Sequence, residues 1–424
     1  MILGDDPNKE TGFARVVRNL LMHWHRAEVF ESITVWGIGY WGMPHEAPAT
    51  IYPAASPQDG RWESIANLQR LVDLLTHRDY THLFILNDLW AVNPLAKALT
   101  QLRKSNGLKS YLYFPVDAPL EPEWLTILEN VDLAAAYTPY GQEQVRAALM
   151  RGVRDGSAGA RKRASQLAEA IEVIPHGVEK VFRPAPETKA AIRAALFNGK
   201  VKEKDFLLVN VNTNQRRKGI AQSLQVLAAL KRLRNPTDPE FRMYLHMPRE
   251  NKEEGICYGL VARQLGLEEG RELFYGDANY VQNRPKLSDE GLNELYNAAD
   301  LYLSTSLGEG WGLGITEAMA AGLPVAAPCH TAIIELIDNG RGLGLPIGQA
   351  DVMPGDNSRL RPRVKVEQAA ELILIANRNN YLPVYAERAQ SWVGGLEWDW
   401  IAGQWLTWMG VPREAAVERE GAGV

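Results

Sequence analysis

Residues 301–328 constrain this chain more than any other stretch. They read Leu-Tyr-Leu-Ser-Thr-Ser-Leu-Gly-Glu-Gly-Trp-Gly-Leu-Gly-Ile-Thr-Glu-Ala-Met-Ala-Ala-Gly-Leu-Pro-Val-Ala-Ala-Pro. The apolar run at 301–304 predicts a short buried strand and 325–327 a second, with a glycine loop and a helix between them. Gly308, Gly310, Gly312 and Gly314 strip side chains from the loop, so its amides can face a ligand. The helix that follows offers its positive N-terminal end to an anion. It stops at Gly322, with Pro324 two residues on. Glu309 and Glu317 frame the loop with seven residues between them. A strand, an amide-rich turn and a helix N-terminus form a phosphate cradle, and two acids add hydroxyl-binding groups. The combination points to a sugar nucleotide as ligand.

The 424 residues are comfortable for two domains, each with a full-sized core. A net charge of -5 gives no global bias towards nucleic acid or anionic membrane. The two cysteines, Cys257 and Cys329, match no metal spacing and read as small buried hydrophobes in a reducing compartment. With no apolar run approaching a spanning helix, and Met1 leading straight into a strand-like segment, the expectation is a cytoplasmic protein.

Strands are expected at 1–5, 32–39, 82–86, 109–114, 133–137 and 172–175. Helices are expected at 13–26, 61–77, 93–104 and 140–150. A second alternating series follows, with strands at 206–212, 241–247 and 273–276 and helices at 221–234, 255–265 and 289–299. Such alternation argues for parallel sheets covered on both faces. The predicted organisation is α/β: residues 1–180 form one Rossmann-like doubly wound domain and 181–395 another, facing it across a cleft. Residues 396–412 supply a helix packing back towards the first domain, and 413–424 a tail. Gly37-Ile-Gly-Tyr-Trp-Gly42 matches a dinucleotide fingerprint, but Pro44 and Pro48 forbid the helix that it must open.

Glu309-Gly-Trp-Gly with Glu317, then Ala-Met-Ala-Ala-Gly-Leu-Pro-Val, resembles the E-x7-E segment of retaining GT-B glycosyltransferases of the family-four type. Supporting segments are Leu295-Tyr-Asn-Ala-Ala-Asp300, Ile174-Pro-His-Gly-Val178 with Phe182-Arg-Pro184, Thr11-Gly-Phe-Ala-Arg15 and Trp398-Asp-Trp-Ile-Ala402. The resemblance implies a GT-B fold and transfer of a hexosyl group from a UDP- or GDP-type sugar to an acceptor hydroxyl. Configuration is retained by same-face attack. The nucleotide sugar enters as co-substrate, with no metal and no resident cofactor.

The same resemblance assigns Glu317 to the ribose hydroxyls, and Glu309 with Gly310, Trp311, Gly312 and Leu313 to the donor sugar. Gly12 approaches the diphosphate. Arg216, Arg217 and Lys218 lie in Asn214-Gln-Arg-Arg-Lys-Gly219, just after a strand, and supply fixed cations for the leaving group. The family's arginine five positions before this lysine is Thr213 here. That leaves the partner of Lys218 open between Arg216 and Arg217, with Arg217 favoured.

Residues 275–284 are assigned to the base pocket. Asp117, ending a first-domain strand, is the candidate to contact or deprotonate the acceptor, and His176 serves a structural or a catalytic role. Trp41, Trp90 and Trp124 either form a stacking surface or pack. A basic run including Arg161, Lys162 and Arg163, beside a glycine-containing segment at 156–160 read as a loop, is a solvated surface or a contact for a phosphate-bearing acceptor. The acceptor classes left open are a glycan, a lipid-linked hydroxyl at a membrane surface and a nucleic acid. Two rival readings stand beside the transferase: a GT-B epimerase or phosphorylase, and a non-catalytic sugar-nucleotide-binding module.

Overall fold

The structure, a computed structural model, describes residues 1–55, 68–154, 156–252, 254–276, 287–353, 356 and 359–411. The chain folds as two compact units, Met1–Gly177 with the segment from Glu397 onward, and Val178–Leu396. The expected tail at 413–424 lies outside the described residues, as do 277–284 of the base-pocket segment and the first part of the helix expected at 61–77. From Leu68 to His77 that helix is present.

In the first unit the strands are β1 (Ile2–Asp5), β2 (Thr34–Ile38), β3 (Thr50–Pro53), β4 (His82–Leu86), β5 (Lys109–Phe114), β6 (Leu133–Ala136) and β7 (Ile171–Val173). They form one sheet in the order β3-β2-β1-β4-β5-β6-β7, parallel throughout. Every residue of β1 and β2 is buried, as expected of a sheet covered on both faces. Strand order reverses between β1 and β4. After β2 the chain turns at Gly39 and runs as loop to β3, so the glycine fingerprint opens no helix.

The helix Trp398–Trp408 belongs to this unit. Trp24 Nε1 donates to the Ala402 carbonyl at 3.1 Å, and Trp405 packs edge-on against Phe84 with ring centroids 4.8 Å apart. Ile401 and Trp405 are buried; Trp408 is half-buried against Trp405.

The second unit carries β8 (Phe206–Val211), β9 (Phe241–His246), β10 (Glu250–Asn251), β11 (Ile256–Cys257), β12 (Leu273–Tyr275), β13 (Leu301–Leu303), β14 (Val325–Pro328), β15 (Leu343–Leu345), β16 (Ile347–Val352) and β17 (Leu360–Val364). Six of them form a parallel sheet in the order β12-β9-β8-β13-β14-β15, reversing between β8 and β13. The pairs β10/β11 and β16/β17 are antiparallel hairpins.

The structure corrects several local expectations. Residues 156–160 are not an extended loop: Ser157 caps a helix, Ala158–Glu169, accepting a hydrogen bond from Ala160 N at 3.3 Å. Its alanines at 164 and 168 are buried, a small-residue stripe that apolar periodicity barely registers. Lys189–Phe197 is also a helix, capped by Thr188, over residues for which the sequence pattern gave no element. The edge strand β3 escaped notice because Pro48 and Pro53 bracket it. No helix of the described residues is long and apolar enough to cross a membrane.

Candidate functional site

The reversal point of the second sheet gathers the residues that stand out in the sequence. β8 runs into a 3-10 turn, Arg216–Lys218, closed by Gly219 at φ +62°. A Cβ on Gly219 would lie 2.2 Å from the Thr305 carbonyl oxygen, so only glycine lets this turn lie on the loop that follows β13. Hydrogen bonds stitch the two segments: Leu307 N to Arg217 O at 2.7 Å, and Thr305 Oγ1 to Gly219 O at 2.9 Å. The helix Leu313–Ala320 then starts against the sheet. A Cβ on Gly314 would meet the Tyr302 hydroxyl at 2.6 Å, and that hydroxyl donates to Val211 O at 3.0 Å.

At this junction Lys218 Nζ lies 2.7 and 2.9 Å from the Glu309 carboxylate oxygens, and Arg217 Nη1 is 3.3 Å from one of them. Arg217 also donates to Gly308 O at 2.6 Å. Burial alone would push the Glu309 carboxyl up. The charges of Lys218 and Arg217 and the bonds they make outweigh it, bringing the group down to about 2. Glu309 is therefore ionised across the neutral range, and its backbone N–H donates to Thr331 Oγ1 at 3.2 Å.

Glu317 is buried on the following helix and accepts from the Tyr296 hydroxyl at 2.8 Å. Gly310 and Trp311 are buried, the indole N–H reaching Thr316 Oγ1 at 3.4 Å. Gly312, at φ +112°, caps the helix, and Leu313 is half-buried. Thr213 is exposed. Arg216 turns away: its Nη2 donates to Glu254 O at 2.6 Å. The structure thus brings Arg217, and not Arg216, to Glu309 beside Lys218.

Gly12 and Asp117 lie in the first unit. Gly12 opens the helix Gly12–Arg26, whose cap Thr11 accepts from Ala14 N and donates to the Asp5 carboxylate. Asp117 is half-buried in the loop after β5. His176 is enclosed, its Nδ1 2.8 Å from the Tyr113 hydroxyl, and burial lowers it to about 3, which suits a neutral structural group. Arg161, Lys162 and Arg163 are exposed on the helix Ala158–Glu169.

Sequence reasoning missed Tyr296, Ser306, Thr331 and His330. Ser306 Oγ bonds the Arg217 and Gly308 carbonyls at 3.3 and 3.1 Å. Thr331 holds the loop from the turn after β14, at an unusual φ of +53° for a branched residue. Its neighbour His330 is lowered to about 4, by burial first and then by the Arg361 charge. The one signal available was position, directly beyond the carboxyl end of a strand next to β13.

Residues 210–354, which carry this junction, match the family model described as "Glycosyl transferases group 1". Mannosylfructose-phosphate synthase of Agrobacterium fabrum is 32% identical over 179 residues, 40% of this chain. The chain spans about a third of that relative's length, 35%. Sucrose-phosphate synthase of Thermosynechococcus elongatus is similar in fold over 96% of this chain and 97% of its own, with a TM-score of 0.67 and 18% identity. Anabaena HepE, solved with UDP-glucose, covers 96% of this chain and 98% of its own at a TM-score of 0.63 and 15% identity. The whole-chain likeness establishes the two-domain GT-B fold. With the matched segment, it supports a GT-B glycosyltransferase.

Proposed function

We propose that this chain is a retaining glycosyltransferase of the cytoplasm that transfers a hexosyl group from a nucleoside-diphosphate sugar to an acceptor hydroxyl. The observation that carries the reading is the meeting of Lys218 and Arg217 with Glu309 beside the start of the helix Leu313–Ala320. Breaking the bond between the anomeric carbon and the diphosphate leaves negative charge on phosphate oxygens. Two fixed cations and a helix N-terminus are groups that stabilise such charge without reorganising. The leaving group is held by these residues with no metal. The new bond forms from the acceptor oxygen to the anomeric carbon on the same face, and the acceptor proton passes to the departing phosphate.

Glu309 does not act as a proton donor, because a carboxyl held near 2 carries no proton at neutral pH. It keeps both cations in place until a diphosphate arrives, and then accepts hydrogen bonds from donor-sugar hydroxyls alongside Gly310 to Leu313. Glu317, oriented by Tyr296, accepts from the ribose. Gly12 admits the diphosphate closely, and Asp117 serves the acceptor. The UDP-glucose bound by HepE makes uridine donors the first choice over guanosine ones.

The test is nucleotide release from UDP-glucose, UDP-galactose, UDP-N-acetylglucosamine and GDP-mannose, with thermal shift as the binding readout. Turnover of one donor, lost in Glu317→Ala, is expected. No turnover of any donor, or undiminished turnover in that variant, would sink the proposal. Products formed from donor alone, or phosphate-dependent cleavage, would identify an epimerase or a phosphorylase.

A further inference from the structure

Among the described residues, the non-glycine positions with a positive φ are Glu28, Asn198, Thr331, Asn339 and Asn380. All but Thr331 are exposed, and most are asparagine, whose short polar side chain tolerates the left-handed region. Thr331 differs on both counts. It is branched at Cβ, the class for which φ +53° is an outlier, and it is only 8% exposed. Such strain persists only where the surroundings over-determine it, and it gathers at functional sites.

The turn that strains Thr331 is tight. β14 ends at Pro328, and Cys329 N still donates to Leu345 O at 3.1 Å, beside β15. The chain must then leave the sheet and start the helix Ile333–Ile337. His330 N donates to Pro328 O at 2.9 Å, and Ile334 N to Thr331 O at 3.3 Å. A glycine at 331 would make this turn without strain. Threonine adds a hydroxyl, and that hydroxyl is fully used. Thr331 Oγ1 donates to His330 O at 2.8 Å and accepts from the Glu309 N–H at 3.2 Å.

The Glu309 carboxylate is tied to Lys218 and Arg217, whose long side chains can shift together with it. Those ion pairs fix the three groups to one another. The Thr331 bond does something else: it fixes the Glu309 backbone to the end of β14, a strand paired on both sides.

We propose that Thr331 is a positioning residue, whose hydroxyl, aimed by a strained backbone, anchors Glu309 to the sheet so that its carboxylate and both cations stand in place for the donor. The step it serves rests on the transferase reading; the anchor itself does not.

The experiment compares Thr331→Val, Thr331→Ser and Thr331→Gly. Valine keeps the branched shape and removes the hydroxyl, serine keeps the hydroxyl, and glycine removes both strain and hydroxyl. Donor turnover, read as kcat for nucleotide release, is expected to fall about tenfold in the valine and glycine variants and to stay within about threefold of wild type with serine. Exchange of the Glu309 amide hydrogen is expected to quicken about tenfold in the same two variants and not with serine. Activity thus follows the hydroxyl, whatever the order of the melting temperatures. Wild-type kcat and exchange in Thr331→Val, a loss in Thr331→Ser as deep as in Thr331→Val, or a kcat that tracks melting temperature across the three would each overturn the proposal. If no donor is turned over, the transferase reading fails, and the exchange rates still decide whether the hydroxyl anchors Glu309. Intact turnover beside faster exchange in Thr331→Val removes the positioning role alone.

Discussion

Both sheets of this protein reverse direction beside their first strand, and the two reversal points have opposite chemistry. In the second unit the corner between β8 and β13 is cationic and filled, with Lys218 and Arg217 committed to a buried Glu309 and a glycine turn pressed on the neighbouring loop. In the first unit the corner between β1 and β4 is acidic and edged with exposed indoles. On the proposed reading the cationic corner takes a diphosphate. A charged diphosphate needs prearranged cations, which must be kept paired while the site waits.

The largest expected effect tests the cationic corner. Lys218→Ala should lower donor turnover by about 10²–10³-fold, as expected for loss of a preorganised charge, read as kcat for nucleotide release. If Trp90→Ala lowered donor turnover as far, the contrast between the corners would collapse. Next, Glu309→Gln leaves two cations facing a neutral amide, and should cost about 3 kcal/mol in denaturant unfolding of the second unit. Hydrogen exchange read unit by unit should show the first unit unaffected.

Acid sharpens the comparison further. His176 is neutral in the fold at about 3 while the unfolded chain takes up a proton below 6.5, so first-unit stability falls as pH drops through that window. Between pH 6.5 and 5 the loss is about 2 kcal/mol, and His176→Gln should remove it in pH-dependent melting. His330, neutral down to about 4, gives the second unit a similar slope. Glu309 contributes in the other range: its stabilisation is complete above the ordinary carboxyl value of 4.5 and is lost as pH falls towards 2. A Glu309→Gln melting curve that stays parallel to wild type below pH 4 would contradict the ion-pair account.

Smaller effects follow. Tyr296→Phe removes one bond to Glu317 and should raise donor KM about fivefold, in line with roughly 1 kcal/mol for a hydrogen bond. Replacing Arg161, Lys162 and Arg163 together with serine should change acceptor KM less than about twofold, as for other exposed charges. A steep, salt-dependent increase would move acceptor recognition to that helix and break the contrast.

The donor corner was the more legible of the two for a physical reason. Glycines that must approach backbone, acids that must face hydroxyls and a helix that must start at a phosphate all sit within one short segment, so chain order alone displays them. The residues beyond the carboxyl ends of the first-unit strands, such as Asp6, Trp41, Asp88 and Tyr137, come from four separate segments, none carrying a local pattern. Ser157 hid a helix because its buried face is alanine, and Thr331 hid because its bond to Glu309 spans a strand and a helix.

The sequence by itself determined the alternation of strands and helices, the glycine loop and the residues that a nucleotide sugar would need. Those follow from local sterics and periodicity. Only the tertiary structure decided that Arg217 and not Arg216 stands with Lys218, that Glu309 is held near 2, and that Trp41 and Trp90 flank one strand. Each is set by which strands pair side by side, a long-range choice driven by burial that no short window of sequence records.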